Sequence, residues 1–109
     1  MKIDVSRIES IAGDDKDMIQ QLFELFLDSY KNCLNRMKLA IAETDNSKRA
    51  ADWHDACHEM KGSAYNLGFT DLGEFTSAAE NITDTDNMQE AYEMFKFQLI
   101  EVESFIEQY

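Results

Sequence analysis

Apolar residues recur along the chain in steps of three and four, broken at a few short polar or glycine-bearing stretches. That period is helical throughout. Asp4 to Ile11 predicts a short helix with Asp4 as its cap and Val5, Ile8 and Ile11 on one side, ended by Ala12-Gly13. Asp14 and Asp15 open a second helix, since acidic side chains suit the positive end of a helix dipole. Its apolar positions are Ile19, Leu22, Phe23, Phe26, Tyr30, Cys33, Leu34, Met37 and Ile41, a long amphipathic stripe. After the polar run Glu43 to Ser47, a third helix runs from about Lys48 to Leu67. Its buried stripe is Trp53, Cys57, Met60, Ala64 and Leu67. Gly68 follows the last apolar residue, where a left-handed helix cap prefers glycine. Thr70 or Asp71 caps a fourth helix carrying Leu72, Phe75, Ala79 and Ile82. The break at Thr83 to Asn87 offers Asp86 with Gln89, or Asn87 with Glu90, at capping-box spacing. A last helix carries Met88, Ala91, Tyr92, Phe95, Leu99, Val102 and Ile106.

Four long apolar stripes need one another for burial. The pattern therefore predicts an all-α fold: an antiparallel four-helix bundle with a short additional N-terminal helix, residues 1–109 forming a single domain. Composition agrees, because the chain has no proline and only 4 glycines, too few turn residues for a sheet-rich fold. With 109 residues, 44% of them hydrophobic, it can bury one core without help from disulfides or metals. Cys33 and Cys57 both fall at core spacing and read as reduced, apolar side chains, a single disulfide between them being the alternative. The net charge of -12 repels nucleic acid and anionic membranes and otherwise reads as solubility. The sequence shows neither a signal peptide nor a membrane-length apolar run, so a cytoplasmic location is expected. Beginning at methionine and lacking linker-like tracts, the chain reads as freestanding and monomeric.

Chemistry concentrates on the outward side of the third helix. At 100° per residue, His58 sits about 100° around from Cys57, off the buried stripe. His54, His58, Gly62 and Tyr65 lie nearly in line, with Lys61 about 60° to one side. A glycine inside a helix costs about 1 kcal/mol relative to alanine, so Gly62 wants a reason. Without a Cβ it would let another backbone approach His58. An exposed imidazole is largely neutral near pH 7 and can act as a nucleophile through one ring nitrogen. A lysine one turn away could pair with an anionic group carried there. A surface histidine with a lysine at i+3 is also commonplace; the interior glycine is what lifts this pair above background.

The run His58-Glu59-Met60-Lys61-Gly62-Ser63-Ala64-Tyr65-Asn66-Leu67-Gly68 resembles the His-x-x-Lys-Gly signature, with its later glycine, of the histidine-containing phosphotransfer (HPt) domains. Leu72 to Glu80 is similar to the next helix of that family, with Ala79-Glu80 where a Leu-Glu-like end is common. Cys57 stands where alanine is usual and Met60 where leucine is common, both apolar exchanges at buried positions. Tyr65 is larger than the small residue often found there, which makes it a candidate docking rim. The resemblance implies a four-helix bundle and a phosphorelay intermediate without autonomous kinase activity. His58 would take a phosphoryl group on Nε2 from a receiver-domain phospho-aspartate and pass it to another receiver domain. Lys61 would neutralise phosphoryl charge, Gly62 would admit the partner, and Gly68 would shape the helix end. The implied partners are response-regulator receiver domains and a hybrid sensor histidine kinase. No cofactor is implied on this chain, and Mg²⁺ would come with the receiver.

Neither a glycine-rich phosphate loop nor another nucleotide motif is visible. His54-x-x-x-His58 has the i, i+4 spacing that places two imidazoles on one metal, but no third ligand can be named from sequence, so no metal site is assigned. His54 reads as a bystander, and no carboxylate stands out as a general base. A docking module that binds a receiver without accepting phosphate is the remaining rival, opposed by the intact His58 and Lys61.

Overall fold

The computed structural model describes residues 1–109. Five helices follow one another: α1 (Val5–Ala12), α2 (Lys16–Ala42), α3 (Asn46–Asn66), α4 (Thr70–Ala79) and α5 (Thr85–Gln108). There are no strands. Helices α2 to α5 form the expected bundle and α1 is the short addition. At 1.5 Å per residue, α2 alone spans about 40 Å, which accounts for most of the molecule's 47 Å length. It packs against α1, α3 and α5, while α4 lies chiefly on α3.

One core runs the length of the bundle, and the apolar stripes read from the sequence supply it. Trp53, Cys57, Met60, Ala64 and Leu67 of the third stripe are all buried, as are Phe23, Phe26, Tyr30, Cys33 and Met37 of the second. The two cysteines are free thiols. Aromatic rings join the elements. Phe26 stacks on Phe69 with centroids 4.6 Å apart, and Phe75 of α4 meets Phe95 of α5 edge-on at 4.8 Å. Tyr30 satisfies its buried hydroxyl by donating to the Phe95 carbonyl.

Three local expectations are corrected. On α1 only Ile8 and Ala12 are buried, while Val5 and Ile11 face solvent, because the short helix touches the bundle along a single line. Neither Thr70 nor Asp71 caps α4. The N-cap is Phe69, without a side-chain bond, and both polar residues bind the start of the chain instead. Thr70 Oγ1 donates to the Lys2 carbonyl, and Asp71 accepts from Lys2 N at 2.6 Å. Helix α5 begins at Thr85 under Asp84, whose carboxylate accepts from Asn87 N at 2.9 Å. With Asp84 at the N-cap, Asp86 falls inside the first turn, where the dipole favours it.

Gly68 does more than end α3. Its φ of +86° is the left-handed conformation expected of the cap. In addition, a Cβ there would lie 2.1 Å from the Asp4 carbonyl oxygen. Asp4 N donates to the Gly68 carbonyl at 2.7 Å, so the N-terminal segment is laid against the α3–α4 turn at the one residue without a side chain.

Candidate functional site

His58 stands on the outer side of α3 with its side chain 66% exposed. Helical geometry puts it there, since Cys57 and Met60 beside it are buried against α2. The main surface clefts are lined by other residues, and the His58 side chain stands largely in solvent.

Its surroundings are set by the end of α4. Trp53 Nε1 donates to the Ala79 carbonyl at 2.8 Å, fastening the last turn of α4 to α3. The next residue, Glu80, is thereby held over the His face with its side chain only 11% exposed. Lys61 Nζ donates to Glu80 Oε1 at 2.8 Å. Glu80 Oε2 is buried, has no hydrogen-bond partner, and lies 3.4 Å from His58 Nδ1. The Lys61 hydrogen bond, with help from the neighbouring imidazoles, holds the Glu80 carboxyl below the usual glutamate range despite its burial. Glu80 is therefore a carboxylate at neutral pH, and the proton it can accept is the one on His58 Nδ1. With Nδ1 protonated, the Nε2 lone pair is free on the solvent side.

Of the residues singled out by sequence, His58 and Lys61 meet on this one carboxylate. Lys61 is held rather than freely displayed, its side chain 23% exposed, with one of its three ammonium protons engaged. Gly62 is exposed, and a Cβ there would touch nothing within 4 Å, so no internal contact requires a glycine. Tyr65 is half exposed and its ring lies against Gly73 of α4, where a Cβ would come within 2.6 Å of it. His54 lies at the edge of the site. Its ring stacks on that of His58 with centroids 5.9 Å apart, and its Nδ1 is 3.2 Å from the Glu80 carbonyl. Glu59, the acid next to His58 in sequence, turns away to pair with Arg36 of α2.

Glu80 is the residue that sequence reasoning missed as part of the site. It was visible only as the acidic end of the fourth helix, with nothing local to connect it to His58. Its closeness depends on how α4 packs across α3.

The family model for the Hpt domain matches residues 21–108, which take in all of α3, α4 and α5 and most of α2. Comparisons with curated proteins and with solved structures returned no match.

Proposed function

The chain belongs to the Hpt domain family, whose members serve histidine phosphotransfer in phosphorelay signalling, and on that premise we propose that His58 is its phosphoryl-accepting residue. The phosphoryl group comes from a phospho-aspartate on a receiver domain and goes on to the aspartate of another. The observation that carries this reading is the pairing of an exposed His58 with a buried, ionised Glu80 at its Nδ1.

The chemistry follows from that pairing. The Nε2 lone pair attacks phosphorus, the P–O bond to aspartate breaks, and the aspartate leaves as carboxylate. The imidazole, now bonded to phosphorus at Nε2 and to hydrogen at Nδ1, carries positive charge. Glu80 lies where that charge develops, with the rest of its negative charge balanced by Lys61. The ammonium has two further N–H donors to offer the phosphoryl oxygens. Onward transfer is the same step reversed. The chain thus supplies a positioned nucleophile, while Mg²⁺ and the remaining catalytic groups are assigned to the receiver.

Gly62 faces the partner one turn beyond His58, with open space above it. Tyr65 is assigned to the rim of the docking surface. His54 is not part of the transfer step. A monomeric carrier in the cytoplasm is part of this reading; no helix is long and apolar enough to cross a membrane.

The test is incubation with a phosphorylated receiver domain and Mg²⁺, for wild type and His58→Gln. Acid-labile, base-stable phosphate should appear on the wild type alone. Label on the variant, or none on either protein, would overturn the assignment.

A further inference from the structure

One nitrogen of each imidazole, His54 and His58, and one carboxylate oxygen of Glu80 lie within 4.8 Å of one another. Sequence spacing supplies the two histidines on one face; the packing of α4 supplies the third donor. Two imidazoles and a carboxylate, with a fourth position open to water, form a recognised zinc donor set.

The distances are close to those a metal needs. Ligand atoms about 2.0–2.2 Å from a tetrahedral zinc ion stand about 3.3–3.6 Å apart. His58 Nδ1 and Glu80 Oε2 are already 3.4 Å apart. The His54 nitrogen lies within 4.8 Å of both, and a side-chain rotation would bring it to the same spacing. Glu80 Oε2 is moreover a buried oxygen that faces only the His58 ring nitrogen, so a cation at that nitrogen would compensate the same charge that the Nδ1 proton does. The other oxygen of that carboxylate is fixed by Lys61, the kind of outer contact that orients a ligating carboxylate.

We propose that His54, His58 and Glu80 form a binding site for a borderline transition-metal dication, Zn²⁺ in particular, whose occupation switches off His58 as a phosphoryl acceptor. The switch is a tautomer change. In the metal-free chain Nδ1 carries the proton, facing Glu80, and Nε2 carries the lone pair. A metal at Nδ1 needs a lone pair there, so it binds the other tautomer, in which the ring proton has left Nδ1 and sits on Nε2, and a protonated Nε2 has no lone pair for phosphorus. Metal and phosphoryl group thus exclude each other without touching the same atom. The Lys61 ammonium beside Glu80 repels a dication, which keeps the site weaker than a structural zinc centre and its occupation reversible.

Binding stands on geometry alone, whereas its effect on transfer rests on the carrier reading, and the experiment separates the two. Zn²⁺ is titrated against a chromophoric chelator in the presence of wild type, His54→Ala or Glu80→Gln. One ion per wild-type chain is expected, with each substitution weakening uptake at least about tenfold. Nitrogen-resolved NMR of the His58 ring should show the proton leaving Nδ1 for Nε2 as zinc is added. Transfer from a phosphorylated receiver is then measured with and without zinc. Wild type should be blocked, while His54→Ala should be phosphorylated normally and stay active. Absence of stoichiometric uptake, or uptake unchanged in both variants, would overturn the site. Uptake that leaves wild-type transfer running would overturn the switch. A wild type that fails to accept phosphate without zinc would refute the carrier reading and leave the metal site standing.

Discussion

Replacing Gly62 by alanine should make this protein more stable while doing its work no better. The perturbation is one methyl group in the interior of α3, at a backbone conformation that is not left-handed. The added Cβ meets no atom within 4 Å, so it brings neither a clash nor a new contact. What remains is intrinsic helix propensity, about 0.8–1.0 kcal/mol in favour of alanine at such a site. For a domain of about this size that corresponds to a melting temperature raised by roughly 4–8 °C. Urea denaturation followed by circular dichroism reads it directly: the midpoint should rise with the slope unchanged. The companion variant is Gly62→Arg, which should fold with near-native helix content yet accept phosphate about 100-fold more slowly, because a long side chain displaces the partner from His58. A destabilised Gly62→Ala would mean that the fold itself needs glycine here. Wild-type transfer by Gly62→Arg would mean that the open space above Gly62 is not where the partner docks.

Gly68 should behave in the opposite way. Alanine there meets both a φ of +86° and the Asp4 carbonyl, so Gly68→Ala should lose more than about 1 kcal/mol and release the first residues to proteolysis. Unchanged stability and protease resistance would refute the role given to the N-terminal strap. Burial pushes the Cys57 thiol up to about 12 and the Cys33 thiol up to about 11, so neither is a thiolate near pH 8. Mass spectrometry after iodoacetamide should find both unmodified in the folded protein and both alkylated in denaturant; rapid native labelling would contradict their placement. The Asp84 carboxyl is held below its ordinary 3.8, first by the Asn87 backbone amide. A depressed value favours folding above 3.8, and that contribution is lost as pH falls through the lower folded-state value. The stability gap between wild type and Asp84→Ala should therefore be widest near neutral pH and shrink below pH 3.8; a gap that widens in acid would show that Asp84 is not the cap.

The sequence by itself determined everything that depends on helical period. Residues three and four apart share a face whatever the helix packs against, so the buried stripe from Trp53 to Leu67 and the outward alignment of His58 and Gly62 could be read directly. The stop at Gly68 was equally legible, because a left-handed cap is a property of a single residue. Caps were less so. Thr70 and Asp71 are good capping residues in isolation, but Lys2, far away in sequence, competes for them. Only the tertiary structure brought Glu80 to the site. The family resemblance marks Glu80 as the end of the fourth helix, but nothing in the chain ties it to His58, and its role arises because the Trp53 indole holds the end of α4 against α3. That carboxylate is what gives His58 a preferred ring tautomer and Lys61 a fixed position, and a helical period contains no information about either. Local geometry chose the face of the helix; the angle at which two helices cross chose its chemistry.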